Sequence, residues 1–317
     1  MTRVVDIVLA TFNGARFLSE QLASIEAQTY RDWRLIVRDD GSTDGTPAII
    51  EAFARRHGDR VRVLRDGRGR LGACANFAAV LEASDAPYFM FCDQDDVWLP
   101  EKIADLLRSL HEIERQQDGA TPILVHSDLI VVNEELRVLH PSFWRYARLL
   151  NPAAPRRPAG PILRNFVIGC ASIGNAALRQ AALPIPAEAV MHDWWIALVA
   201  ANLGKIVEHE GPTILYRQHS SNEVGAKSRH IFAVLSQILC APSTAMEEVR
   251  LNIEKARRQA AAFEKIHKTA LNPHLNVILA EFIHLPSSTF WKRKSFLIRY
   301  NAWPDYWLPS AALWLFL

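Results

Sequence analysis

The sequence predicts an α/β fold: a mainly parallel central sheet covered by helices, followed by a helical extension at the C-terminal end. Two observations carry the first part. Short β-branched runs alternate with stretches of helical spacing through the first half of the chain, as in repeated β-α-β units. Polar clusters fall at the ends of those runs (Thr11-Phe12-Asn13, Asp39-Asp40, Asp93-Gln94-Asp95-Asp96), where a parallel sheet gathers its ligands. A third observation marks the extension: from Ile231 onward the spacing is helical, and Met246 to Lys268 is amphipathic and basic.

Taken in order, Val4 to Ala10 is a strand interrupted by Asp6, and Phe17 to Ala27 has helical spacing. Arg34 to Val37 is the second strand, ending at Asp39-Asp40. Thr46 to Arg56 is a helix whose Pro47 is acceptable in the first turn. Val61 to Leu64 is the third strand, Asn76 to Ala83 the third helix and Tyr88 to Cys92 the fourth strand. Pro100 opens a long helix to about Gln116, and Ile123 to His126 is a fifth strand. Residues Asn151 to Pro161 form a Pro-rich loop. A short apolar run at Phe166-Val167-Ile168, a helix over His192 to Asn202 and paired short strands at Lys205–Val207 and Thr213–Tyr216 follow. This organisation divides the chain into an α/β domain over residues 1–225 and a basic, aromatic helical extension over residues 226–317.

Composition narrows the function classes. The 317 residues are 50% hydrophobic and 22% charged, which excludes a disordered chain or a disulfide scaffold. The formal charge of +2 hides an asymmetry: residues 1–150 carry 18 basic and 23 acidic side chains, residues 225–317 carry 12 and 6. The four cysteines (Cys74, Cys92, Cys170, Cys240) lack Cys-x-x-Cys spacing, which argues against a zinc ribbon and suits a reducing cytosol. Asp6 interrupts what a signal peptide would need as an apolar core, so none is expected. No window reaches the roughly 20 apolar residues that span a bilayer. A nucleic-acid binder is disfavoured because the core motifs are acidic.

The acidic clusters carry the chemistry. In Asp39-Asp40-Gly41-Ser42-Thr43-Asp44-Gly45-Thr46, a carboxylate at a strand end can accept from a nucleobase imide or a ribose hydroxyl, while Ser42 or Asp44 can cap the next helix. Asp93, Asp95 and Asp96 place three carboxylates within four residues; their mutual repulsion must be relieved by a cation or by hydrogen bonds, and a hard cation such as Mg2+ or Mn2+, which takes oxygen ligands, is the expectation for Asp93 and Asp95. A helix-capping acidic turn is the simpler reading of Asp96.

These residues, in this order, resemble glycosyltransferase family 2. The resemblance rests on Val8-Leu9-Ala10-Thr11-Phe12-Asn13-Gly14, Leu22-x-Ser24-Ile25-x-x-Gln28, Arg38 to Thr46 and Asp93-Gln94-Asp95-Asp96-Val97-Trp98, and is closest to the bacterial rhamnosyltransferase-like branch that builds cell-surface polysaccharides. It covers about residues 4–225. It implies the GT-A nucleotide-sugar-binding sandwich and a metal-dependent, inverting sugar transfer from a nucleotide-diphosphate sugar, with dTDP-L-rhamnose the expected donor. By the same resemblance Thr11, Asn13, Asn76 and Asp39 or Asp40 lie at the donor, Asp93 contacts ribose or metal, and Asp95 ligates a Mg2+ or Mn2+ ion.

In Met191-His192-Asp193-Trp194-Trp195, Asp193 matches the family's catalytic carboxylate and is expected to take the acceptor proton. Flanking indoles would raise its pKa toward a useful value. Trp194 and Trp195 are candidates for stacking on an acceptor sugar, with core packing the expectation for at least one; His192 is expected to be a structural neighbour. Gly169, in the acceptor-side loop, allows close backbone approach, and Cys170 is expected to be packed. Tyr216-Arg217-Gln218-His219 resembles a family segment that closes the catalytic domain: His219 is a candidate metal ligand and Arg217 a candidate phosphate contact. Arg65, Arg68 and Arg70 form a basic, glycine-rich segment near the nucleotide edge, and Asp128 is expected only to cap its strand end. Two other readings are a nucleotidyltransferase, which usually shows a glycine-rich basic loop after the first strand that Thr11-Phe12-Asn13-Gly14 lacks, and a catalytically silent nucleotide-sugar-binding scaffold. The aromatic and cationic tail, Phe290 to Lys294 and Trp303 to Leu308, suits a peripheral contact with an anionic membrane near a lipid-linked acceptor, at the inner face of the cytoplasmic membrane. An oligomer contact is the alternative for that tail.

Overall fold

A computed structural model describes residues 4–147, 160–163, 165–220, 242–285 and 288–300. The backbone divides into two compact units, the first comprising residues 1–142, 167–187 and 191–225, the second residues 143–166, 188–190 and 226–317.

The first unit is built on a nine-stranded sheet. Its parallel half is β1 (Val5–Thr11), β2 (Trp33–Asp39), β3 (Val61–Val63) and β4 (Tyr88–Cys92), in the spatial order β3-β2-β1-β4. Strands β1 and β4 are buried at every residue, as expected of parallel strands covered on both faces. Asp6, which breaks the apolar run of β1, is fully buried because its carboxylate is completely satisfied. Arg34 donates to it through Nε and Nη2 at 2.8 and 3.0 Å, Ser84 Oγ at 2.9 Å, and the amides of Asp85 and Ala86 at 3.1 and 3.0 Å. Helices α1 (Leu18–Glu26), α2 (Thr46–His57) and α3 (Ala73–Glu82) make the crossovers.

The other half of the sheet was less legible. After β4 the chain forms a two-residue strand, β5 (Val97–Trp98), then α4 (Lys102–Glu114), β6 (Ile123–Val132) and β7 (Val138–His140). Strand β8 (Ser172–Asn175) runs antiparallel between β4 and β6, α7 (Ala176–Ala182) and α8 (His192–Leu203) follow it, and β9 (Lys205–Arg217) runs parallel to β6. The expected pair of short strands at 205–207 and 213–216 is thus corrected to one 13-residue strand. Gly211 adopts φ 91° and absorbs the register shift opposite Asp128 without ending the pairing. β5 pairs antiparallel with the far edge of β9, Val97 opposite Leu215, and so carries the acidic loop that precedes it to residues 216–219. Helix α8 is apolar nearly all round and buried from Trp195 to Ala200, as a helix enclosed by neighbours must be.

The second unit contains the short helices α5 (Phe143–Tyr146) and α6 (Gly160–Leu163) and the longer α9 (Pro242–His267), α10 (Pro273–Ile283) and α11 (Phe290–Arg299). Phe263, Ile278, Leu279, Phe282 and Phe296 form its core, with the Phe282 and Phe296 rings stacked at 5.9 Å. The Pro-rich loop at 151–159, Ser221 to Gly225, Cys240 and the tail beyond Tyr300 lie outside the described residues. Among those described, no helix is long and apolar enough to cross a membrane.

Candidate active site

The parallel half of the sheet ends in a shared polar edge. Thr11 Oγ1 donates to Asp39 Oδ1 at 2.9 Å, and Ser42 closes around the same carboxylate through its hydroxyl at 2.6 Å and its amide at 2.8 Å. Asn13 takes φ 49°, which brings its amide to Ser42 Oγ at 2.7 Å and lets its Oδ1 accept from Thr43 N–H at 2.9 Å. Asp44 accepts from the amides of Thr46 and Ala15, both at 3.0 Å, which holds its carboxyl below the usual carboxylate range despite some burial. The motif residues of β1 and β2 therefore brace each other, and half-buried Asp39 faces a cleft of about 340 Å3 lined also by Ile50, Val63, Arg65 and Arg70.

Asp40 and Asn76 sit one layer deeper. Asp40 is buried, and its oxygens accept from Arg38 Nη1 at 2.8 Å and from the amides of Leu71 and Gly72, both at 2.7 Å. Asn76, also buried, accepts from the same guanidinium at 3.0 Å. Arg38 further pairs with Asp66 and donates to Gly69 O at 2.7 Å; burial opposes its charge, but these anions raise its pKa overall. Both residues, expected at the donor, tie loop 66–72 to the end of β2. That loop in turn lays Arg70 over the Phe12 ring, 4.0 Å from its centroid.

The acidic loop is anchored from both sides. Gln94 clasps the backbone of Phe12, accepting at 2.9 Å and donating at 3.0 Å; a side chain on Gly14 would collide with it, its Cβ falling 2.2 Å from Gln94 Oε1. Asp95 Oδ2 lies 2.9 Å from His219 Nε2, so structure unites two residues 124 positions apart. Arg217 is fully buried; it donates to Asp95 O at 2.8 Å, contacts Glu134 O and Glu20, and lies over the Phe17 ring at 4.5 Å. These contacts make Arg217, expected at the phosphates, the clamp on the loop. Asp96 is also buried, accepting from Arg217 N–H at 3.0 Å.

Asp93 is half-buried and lies with Asp96 and Cys170, their ligand atoms all within 4.8 Å of one another. Burial, then repulsion from Asp95, pushes the Asp93 carboxyl up to about 7. Carboxylates so destabilised fit a hard divalent cation. Of this group Asp93 and Asp96 could hold such a cation, and one oxygen of Asp96 is buried without a hydrogen-bond partner among the described residues. Cys170 is not suited to the part, since burial pushes its thiol well above its ordinary value.

Asp193 opens α8, and its carboxylate accepts from Gly169 N–H at 3.2 Å and Trp194 N–H at 2.6 Å. Gly169 begins a 3-10 turn, Gly169–Ala171, whose Cys170 reaches the acidic loop, and the charge of Asp193 is felt at Asp93. The arrangement can bind a cation and a polyanion along one edge, with a carboxylate beside them to receive a proton. His192 is enclosed by Phe77 and Phe91, ring centroids 3.9 and 4.5 Å away, and burial pushes its pKa down to about 3; it is a neutral core residue. Trp195 is 0% exposed and donates from Nε1 to Ala182 O at 2.8 Å, which corrects the acceptor assignment for that ring; Trp194 is half-buried. Asp128 accepts from Ser142 Oγ and Leu129 N–H, a local brace.

Sequence reading missed Lys102. It is fully buried in the first turn of α4, where its ammonium donates to Cys170 O at 2.7 Å and Thr213 Oγ1 at 3.3 Å. Burial pushes it down to about 8 against the pull of Cys170, Cys92 and the acidic loop. A signal existed: a cation in a helix's first turn opposes the macrodipole and implies a partner elsewhere.

Comparison with known proteins gives the family and the fold. Among curated relatives, the uncharacterized glycosyltransferase alr2836 of Nostoc sp. is 30% identical over 132 residues, 41% of this chain and 38% of that one. The chain thus spans well under half the length of that relative. The dTDP-rhamnosyl transferase RfbG of Shigella flexneri is 27% identical over 234 residues, 69% of this chain and 74% of RfbG. The mannosyltransferase PcManGT of Pyrobaculum calidifontis, solved with GDP-Man and Mn2+, superposes with a TM-score of 0.53 at 18% identity, covering 95% of this chain and 86% of that one; the likeness is one of GT-A fold. Residues 6–183 match the model of Glycosyl transferase family 2, a span that holds the β1, β2 and β4 edges, the acidic loop and the Gly169 turn, and on that match the chain belongs to this family.

Proposed function

We propose that this chain is an inverting glycosyltransferase that moves a sugar from a nucleoside diphosphate donor to a hydroxyl group of a cell-surface polysaccharide or lipid-linked glycan. The observation that carries the reading is Asp193, held by two backbone amides beside the acidic loop. Thr11, Asn13 and Asp39 line the nucleoside end of the edge, and Asp93, Asp95 and His219 would hold Mg2+ or Mn2+. Such a cation, when bound, neutralises charge on the leaving diphosphate. Asp193 receives the proton of the acceptor hydroxyl as its oxygen bonds to the anomeric carbon, and the bond from that carbon to the diphosphate oxygen breaks on the opposite face, inverting the configuration. Half-buried Trp194 stacks on the acceptor ring in this reading.

The similarity to RfbG, named a dTDP-rhamnosyl transferase, supports dTDP-L-rhamnose as donor. Helix α11 supports a peripheral contact with the inner face of the cytoplasmic membrane: Phe290, Trp291 and Ile298 are exposed among Lys292, Arg293 and Arg299.

Asp193→Asn tests the base. It should lower kcat by about 10²- to 10⁴-fold, the usual worth of general base catalysis, while dTDP still binds in the presence of Mn2+ as measured by calorimetry. Near-normal transfer by this variant would overturn the base assignment; full activity of chelator-treated protein would overturn the cation.

A further inference from the structure

The Gly169–Ala171 turn that orients Asp193 is itself held from behind, carbonyl by carbonyl. Gly169 O accepts from Ser172 Oγ at 2.8 Å, Cys170 O from Lys102 Nζ at 2.7 Å, and Ala171 O from Ser127 Oγ at 3.4 Å. Lys102 and Ser127 meet at Thr213 Oγ1, at 3.3 and 2.7 Å. The middle of these anchors is the only one of the three that carries charge, and hydrogen bonds from charged donors are the stronger kind. It comes from the helix that follows the acidic loop through β5.

A buried ammonium is a costly way to satisfy a carbonyl, and a serine would do the same with less desolvation. Its placement is explained by what lies around it. The Nζ is 4.7 Å from the Trp98 ring centroid, and Cys170, whose carbonyl it holds, lies against Asp93 and Asp96. Lys102 therefore ties the acidic loop's own helix to the turn that donates to Asp193.

We propose that Lys102 is a positioning residue for the base: by pinning the Cys170 carbonyl it fixes the Gly169 N–H that aims the Asp193 carboxylate. The inference rests on reading Asp193 as the base. Lys102 itself touches no substrate. The chain uses one buried cation to keep the donor side and the acceptor side of the edge in a fixed relation.

The test is Lys102→Met, which keeps an unbranched apolar stem one heavy atom shorter and removes the charge and the donors, with Lys102→Gln as a second variant that keeps a donor. Amide hydrogen exchange, read on the protein with Mn2+ and dTDP, should speed up at least tenfold at residues 169–171 in Lys102→Met, with β1, β2 and β4 protected as before. Transfer kinetics should show kcat about 30- to 100-fold lower with donor KM within threefold, since misplacing a catalytic group by about 1 Å costs on that order. Lys102→Gln should fall between the two. Unchanged exchange at 169–171 in a folded variant overturns the proposal, and so does loss of the folded state in both variants, which would make Lys102 a counter-ion of the core. Should Asp193→Asn prove fully active, the base reading fails whatever the exchange shows, so the two failures are distinguishable.

Discussion

Gly169→Ala isolates the contact between the turn and the base. A Cβ built on Gly169 would fall 2.9 Å from His192 Nε2 and 3.1 Å from Asp193 Cβ. The backbone there lies outside the left-handed region, so alanine brings no conformational strain and the effect is steric alone. The His192 ring is packed against Phe77 and Phe91 and has nowhere to go, so the relief must come from α8 and with it Asp193. Ordinary contact distances require a displacement of about 0.3–0.5 Å, enough to lengthen the Gly169 N–H bond to Asp193, already 3.2 Å, beyond a useful range. Scaled from the penalty of misplacing catalytic groups, kcat should fall about 10-fold or more with donor KM unchanged. Overpacking of this kind costs roughly 1–3 kcal/mol, a fall in melting temperature of about 2–12 °C for a domain of this size. Steady-state kinetics and thermal unfolding on the same preparation measure both. A variant with wild-type kcat, at any stability, would refute the claim that this turn positions the base.

Three further outcomes are expected. Trp195→Ala should destabilise the fold by about 3–5 kcal/mol in urea unfolding, because it empties a fully buried site, whereas Trp194→Ala should leave stability within about 1 kcal/mol and raise acceptor KM; the reverse pattern would reverse their roles. Asp66 is held below the usual carboxylate range chiefly by Arg38, so its folded-state pKa lies under its unfolded value near 4. The stability it contributes is present above pH 4 and is lost as pH falls toward that lower value. Asp66→Asn should therefore melt below wild type at pH 7, with the gap closing between pH 4 and 2; a gap independent of pH would show that the Arg38 pair does not stabilise. Trp291, 78% exposed on a basic helix, should govern sedimentation with anionic vesicles. Equal recovery of wild type and Trp291→Ala, with and without anionic lipid, would argue against a membrane contact through α11.

Much of the donor edge was legible because its signals are local. The strand ends at Thr11, Asp39 and Asp93 are read from short apolar runs followed by acidic or amide residues, and the structure places them along one edge. What each carboxylate does was not legible. Asp39 and Asp40 are neighbours in sequence, yet one faces the cleft and the other is buried against Arg38, because successive side chains at a strand end point to opposite faces. Trp194 and Trp195 divide in the same way at the start of α8, one half-buried and one enclosed. Strands β5 and β8 escaped the pattern for a different reason: with two and four residues they are too short for a period to register, and their pairing with β9, β4 and β6 is entirely non-local.

Sequence alone determined that this chain alternates strand and helix, that its carboxylates cluster at strand ends, and that its motifs are those of glycosyl transferase family 2. These are properties of spacing and residue type within a few tens of positions. Only tertiary structure decided which of those side chains are available for chemistry. The pairing of Asp95 with His219, the clamp of Arg217 on the acidic loop and the hold of Lys102 on the Cys170 carbonyl all join residues more than 60 positions apart. Such contacts depend on which strand lies beside which. That order is set by burying the apolar faces of the whole sheet at once, a condition no local stretch of sequence contains.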